Sequence, residues 1–446
     1  MRLPGRRRIA VIGSGISGVS AAWALSKRHD VTLYEAETRP GGHTCTVDVD
    51  YDGKQMAVDV GFIVFNERNY PNLTALFDHL GVKSEVSNMS FALSLDGGAR
   101  EWCGETLLSL FAQRSNLVSP SFWWMLKDIL RFNRQCLADR QAGLLDRVTI
   151  GDYLALRSFS MRFRDDYLIP MAAAIWSTPR VRMLDFPARA FVSFFENHRL
   201  LEIAPPLWQT VSGGSRNYLD RMIADFDGRL LTGAAVRDVT RVAGGVAVTR
   251  TSGETALYDD VVMAAHSDQI LAMRRAEASA EERSILEAIP YKPNRVVLHR
   301  DPGFMPKRRP AWAAWNYLRD ANRGEESEIC VTYWMNRLQN LDPARPLFVT
   351  LNPVREPAPG TIFGEWTFDH PQYDAAAFAA QARLARIQGH GGLWYAGAWT
   401  GYGFHEDGLR SGLSVAEALG GVIPWRSRHD TAPANESWPA FVEAAE

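Results

Sequence analysis

The chain has 446 residues, more than one ordinary core holds, and its formal net charge of −2 argues against a nucleic-acid partner. Apolar residues make up 46% and charged residues 22%, the balance of a soluble globular enzyme. No apolar run reaches the roughly 18 residues that a membrane helix needs, and Cys45, Cys103, Cys136 and Cys330 are scattered without a CxxC pair, which points to a reducing compartment and argues against a disulfide framework or a metal site.

The basic start, Met1 to Arg8, runs into a glycine-punctuated strand rather than a signal-peptide core, so a cytoplasmic enzyme is expected. Residues 8–12 (Arg-Ile-Ala-Val-Ile) read as a short buried strand. A helical stretch follows through Ala21, Ala22, Ala24 and Leu25, and Asp30–Glu35 reads as a second parallel strand. Residues 74–200 read as mostly helical. Gly213-Gly214 opens another helix, and 229–265 reads as a series of strands. Further strands are expected at 291–300, 329–335 and 347–352. An Ala-rich helix is expected over 375–388, a last buried strand at Leu393–Ala396 and a last helix from Gly408 to Leu419. Residues 426–446 are expected to form a surface tail. The 14 tryptophans fit large aromatic pockets or an apolar substrate as well as a filled core.

Gly13-Ser14-Gly15-Ile16-Ser17-Gly18 has the GxGxxG spacing between the first strand and its helix. Gly13 suits the tight turn, Gly15 lets backbone approach a pyrophosphate, and Gly18 lets the helix pack on the sheet. The helix start then offers N–H groups to phosphate. Glu35 lies 20 residues after Gly15, where a carboxylate accepts hydrogen bonds from ribose hydroxyls. Taken singly, Arg39 reads as a surface arginine, Asp407 as an N-cap and Val236 as core. Their order and spacing carry the inference.

From Glu35-Ala36 through Arg39 to Gly41-Gly42-His43, and on to Asp59-Val60-Gly61, the chain resembles the flavin amine oxidase superfamily, which includes monoamine and polyamine oxidases and carotenoid desaturases. The resemblance continues at Gly233–Val236 and in the closing segments Trp394–Gly397 and Glu406-Asp407-Gly408-Leu409 through Gly412. It implies an α/β fold: a Rossmann-like FAD-binding domain from 1–75, 205–275 and 385–425, and a discontinuous α+β substrate domain from 76–204 and 276–384. It implies non-covalent FAD, since no cysteine lies in the closing motif. FAD contacts are implied at Gly13–Gly18, Glu35, Ala36, Arg39, Gly41, Gly42, His43, Asp59, Gly61, Val236, Gly397, Glu406, Asp407 and Leu409. The chain looks most like a bacterial branch known only as NAD/FAD-binding proteins, often encoded beside lipid methyltransferases of the cyclopropane-fatty-acid synthase type. That association implies an acyl-lipid substrate.

No second strand–GxGxxG–helix unit is present, so electrons are expected to leave for an acceptor other than a bound nicotinamide. Trp399, Tyr402 and His405 are the candidate catalytic residues, with Glu406 beside them. Many amine oxidases carry a strand lysine linked to the flavin. The corresponding stretch here puts Asn294 or Arg295 at that place, with Lys292 too early. The expected function is therefore FAD-dependent dehydrogenation of an apolar small molecule or lipid. Amine oxidation is the alternative, and a flavin-binding protein without turnover the second. Peripheral membrane contact is expected only if the Ser121–Arg134 helix turns its Phe122, Met125, Leu126, Ile129 and Leu130 side outward; packing that side on the core is the commoner outcome.

Overall fold

The computed structural model describes residues 5–202, 206–275, 277–319 and 329–426; nearly all of the expected C-terminal tail lies outside them. Two sheets organise the chain. The first has five parallel strands in the order Arg229–Leu231, Asp30–Tyr34, Arg8–Ile12, Asp260–Met263 and Leu393–Tyr395. Ile9 to Ile12 and Val31 to Tyr34 are buried without alternation, as strands covered on both faces require. One cover is the Ile16–Ser26 helix, every residue of which is buried. It packs so closely on the His405–Ala418 helix that a Cβ on Gly412 would meet the Ser17 carbonyl oxygen at 2.1 Å. A three-stranded antiparallel sheet, Val236–Val242, Gly245–Arg250 and Thr255–Tyr258, leads into the Asp260–Met263 strand.

The second large sheet has seven strands, ordered Ile362–Pro371, Tyr291–His299, Phe348–Leu351, Cys330–Trp334, Trp315–Arg319, Phe91–Leu95 and Arg100–Cys103. All neighbours are antiparallel except Trp315–Arg319 against Phe91–Leu95. Helices between residues 107 and 197 pack with this sheet around one apolar core.

Residues 74–200 are mostly helical, as expected, but Ser84–Val86, Phe91–Leu95 and Arg100–Cys103 are strands. Phe91 to Leu95 is a short apolar run whose length suits a strand, and Gly97 and Gly98, at φ +62° and +91°, make the turn into its partner. The Pro120–Gln141 helix forms as expected, but it buries Phe122 and Met125 while Trp123, Trp124 and Leu130 stay half exposed. Among the described residues, no helix is long and apolar enough to cross a membrane.

Candidate functional site

At Gly13 the chain turns out of the first strand at φ +98°, and its N–H donates to the Tyr34 carbonyl at 2.8 Å. A Cβ on Gly18 would lie 1.8 Å from the Gly13 carbonyl oxygen, so the helix can approach the turn only at a glycine. Gly15 differs: a Cβ there would meet nothing within 4 Å. That open side faces a cavity of about 1420 Å³. Gly42 comes from the opposite side, where a Cβ would be 3.3 Å from the Gly15 Cα. Two glycine turns thus frame a slot at the start of the Ile16–Ser26 helix, whose first N–H groups and positive dipole end suit phosphate.

Glu35 fastens this cradle. Its Oε2 accepts the Ser14 N–H at 2.9 Å and the Ser14 hydroxyl, and its Oε1 accepts the Glu37 N–H at 2.9 Å. The Gly41 N–H donates to the Ser14 hydroxyl at 3.1 Å. Arg39 donates to the carbonyls of Thr44 at 2.8 Å and Gly42 at 2.8 Å, so its guanidinium shapes the loop while bordering the cavity. Gly13 to Ser17, Glu35, Ala36, Arg39, Gly41, Gly42, His43, Gly61, Val236 and Gly397 all border the one cavity. Open backbone at Gly15, a carboxylate at the strand end and a long concave slot fit a dinucleotide. The volume exceeds the roughly 300–1,000 Å³ of ordinary ligand pockets, leaving room for a second molecule.

Other expected cofactor contacts turn elsewhere. Asp59 does not border the cavity. It is fully buried and accepts from Ser215 N and Oγ at 3.0 and 2.8 Å and from Gln339 at 2.9 Å, tying down the start of the Arg216–Ala224 helix. Burial outweighs these donors and pushes its carboxyl up to about 6. Glu406 accepts from Asn72 N and Nδ2 at 3.0 and 2.7 Å and from Leu73 N at 3.1 Å, so it caps the Pro71–Leu80 helix. Asp407 holds the Tyr402 and Phe404 N–H groups at 3.0 and 3.1 Å and pairs with Arg410 at 2.5 Å. Leu409 is core, and Gly18 serves helix packing. The acids and Leu409 therefore build the cradle's frame, because a carboxylate near a helix start is drawn to whichever N–H groups are unpaired.

Of the three catalytic candidates, Trp399 and His405 border the cavity and Tyr402 does not. Tyr402 packs between Phe194 and Phe378, with centroids at 5.5 and 5.9 Å. The Trp399 indole N–H donates to the Ala265 carbonyl at 3.1 Å. His405 stacks on Phe62 at 3.9 Å, and its Nε2 lies 2.6 Å from the Tyr218 hydroxyl. Burial pushes its imidazole down to about 3.

Around the expected His43 the structure adds residues that sequence reading did not single out. The His43 ring lies 4.9 Å from Phe368, 5.5 Å from His370 and 6.4 Å from His266 between ring centroids, and His266 stacks on Tyr291 at 4.4 Å. Burial lowers all three imidazoles, His370 to about 4, so they stand neutral at pH 7. Trp366 to Pro371 all border the cavity, so no period-two alternation in the sequence marked His370. Beyond the histidines the cavity continues against Phe91, Met171, Ile175, Trp315, Tyr333 and Trp366. Asn294 and Arg295 do not border it. Asn294 pairs with Asn352 at 2.8 Å, and Arg295 pairs with Glu356 and Glu365 at 2.6 and 2.9 Å. Among the described residues, no lysine borders the cavity.

The sequence model of one family, described as flavin containing amine oxidoreductase, matches residues 16–308. The carotenoid phi-ring synthase of Chlorobaculum tepidum is 24% identical over 271 residues, which are 57% of this chain and 41% of that protein. The chain thus spans less than half the length of that relative. Among solved structures, a putrescine oxidase bound to putrescine superposes with a TM-score of 0.65 at 16% identity, over 92% of this chain and 98% of the other. A fatty acid isomerase from P. acnes, described as producing CLA, superposes with a TM-score of 0.63 at 17% identity, over 93% and 99%. These structures share the fold.

Proposed function

We propose that this chain, which belongs to the flavin-containing amine oxidoreductase family and takes FAD as its cofactor, dehydrogenates an apolar, acyl-type substrate. When bound, FAD supplies a hydride acceptor. The observation that carries the reading is the composition of the cavity beyond the cradle. The Phe91–Leu95, Trp315–Arg319, Cys330–Trp334 and Phe348–Leu351 strands and the Ile169–Trp176 helix line it with uncharged side chains alone. An acyl chain needs no more than that, because each methylene buried there contributes about 0.8 kcal/mol. Among the described residues the carboxylates that border the cavity are Glu35 and Glu37 at the cradle and Asp369 beside His370, so those strands and that helix offer a cationic amine no carboxylate. His43, His266 and His370 line the same cavity, and burial holds them neutral, so they add no charge to it. Hydride loss from an unactivated carbon is difficult, so the substrate carries a double bond or another activating group.

The test is anaerobic bleaching of the purified yellow protein. Unsaturated acyl lipids are expected to remove the flavin's long-wavelength absorbance, and benzylamine and spermine to leave it. Bleaching by the amines with lipids inert would return the chain to amine oxidation. No response from either class would favour a flavin-binding role without turnover.

A further inference from the structure

We propose that residues 107–134 form a docking surface for an anionic phospholipid bilayer. Leu107 and Leu108 are 76% and 75% exposed, Leu117 and Val118 are 51% and 83% exposed, and Trp123 and Trp124 are 50% and 55% exposed. Contacts tie the segments that carry these side chains to one another. The Phe111 N–H donates to the Leu107 carbonyl at 3.1 Å, the Phe111 ring lies 5.6 Å from that of Trp123, and the Trp123 indole N–H donates to the Leu117 carbonyl at 2.9 Å. Exposed apolar side chains gathered on segments tied together in this way, unlike scattered exposed leucines, call for a partner.

Charge decides which partner. Along the Pro120–Gln141 helix, Trp123, Lys127, Leu130 and Arg134 recur at i, i+4, i+7 and i+11, so apolar and basic groups share one exposed stripe. The Lys127 ammonium lies 4.5 Å from the Trp124 ring, and Arg114 is exposed beside Leu117. Among the described residues, no carboxylate pairs with Arg114, Lys127 or Arg134, whereas Asp128 is buried and pairs with Arg131 at 3.0 Å. A second copy docked about a twofold axis would set these cations against their own copies. An anionic bilayer accepts both parts of the surface. Its headgroups neutralise the cations, indoles favour the headgroup level, and the leucines and valine reach the acyl boundary. The face offered is not the Phe122–Met125 side that sequence periodicity pointed to, since that side is core. The proposal stands independently of what the cavity binds.

The FAD-loaded protein should be sedimented with vesicles of phosphatidylglycerol and phosphatidylcholine, or of phosphatidylcholine alone. Binding is expected on the anionic vesicles and should fall about tenfold without phosphatidylglycerol or in about 0.5 M NaCl. Two variants on separate helices, Leu107→Glu with Leu108→Glu and Trp124→Glu with Lys127→Glu, should each weaken binding about tenfold. Both should keep wild-type circular dichroism and flavin content, since the altered side chains project into solvent. Absence of wild-type binding, or wild-type binding by both variants, would overturn the proposal. So would a concentration-dependent dimer that both variants dissociate while vesicles bind neither form, which would make the surface a protein interface.

Discussion

His405 Nε2 and the Tyr218 hydroxyl lie 2.6 Å apart, and the same hydroxyl meets Thr44 Oγ1. Tyr218 is completely buried, so these are its partners in place of water. Tyr218→Phe should therefore strand a buried imidazole nitrogen and a buried threonine hydroxyl, at a cost of about 1–3 kcal/mol. Urea unfolding of the holoprotein checks this. An unchanged midpoint would mean that the two groups repartner without the tyrosine.

The two central glycines of the cradle should respond differently to alanine. Gly18→Ala places a Cβ 1.8 Å from the Gly13 carbonyl oxygen and should cost more than about 4 kcal/mol, leaving little folded protein. Gly15→Ala meets no protein atom within 4 Å at an ordinary φ of −60°. It should fold as the wild type does and lose about 1–3 kcal/mol of FAD affinity through crowding of the slot. Circular dichroism and flavin fluorescence titration separate the two outcomes.

Glu35→Ala should weaken FAD binding by about 1–3 kcal/mol, because it removes a charged acceptor and releases Ser14 from the turn. FMN, which lacks the adenosine ribose, should lose less. Equal losses in parallel titrations would mean that the residue acts only by holding Ser14.

Acid should act through the cavity histidines. His370 has a folded-state value of about 4, below the ordinary 6.5, because burial disfavours its charged form. Its stabilising contribution is complete above 6.5 and is lost as pH falls from there toward 4. His370→Gln should thus flatten the loss of stability across that window by about 1–3 kcal/mol relative to wild type. Parallel unfolding curves for the two proteins at each pH would show that His370 does not titrate on unfolding.

Acid precipitation should release the flavin into the supernatant. Cys45, Cys103, Cys136 and Cys330 are all buried, and none borders the cavity. Colour retained in the pellet would reveal a covalent link through another residue.

Sequence reading recovered the features that depend on local spacing. The Gly13–Gly18 turn, Glu35 at a strand end and the Gly41-Gly42 pair each lie within one short stretch, and each borders the cavity. It did not reveal where a carboxylate points. Glu406 and Asp407 stand at a helix start as expected, but unpaired N–H groups of the Pro71–Leu80 helix and of the loop at Tyr402 and Phe404 capture them. Nor did it assemble the chamber. Phe91 and Trp315 lie on adjacent parallel strands although far apart in the chain, and only the sheet register brings them together. The Pro120–Gln141 helix was legible as a helix, but the solvent face of its two adjacent tryptophans was not, since a Trp123-Trp124 pair spans both sides of an apolar stripe.

The five-stranded sheet is completed by Leu393–Tyr395, and Trp399 and His405 close the cavity immediately after it. A ribosome must therefore release the chain through His405 before the cradle that begins at Gly13 has its last wall. The early strands and their helix can pair while synthesis continues, but a flavin arriving then meets a site open on one side. Cofactor loading consequently follows synthesis of that last strand and its loop, and chain made only to an earlier point is exposed to quality control without the ligand that stabilises it.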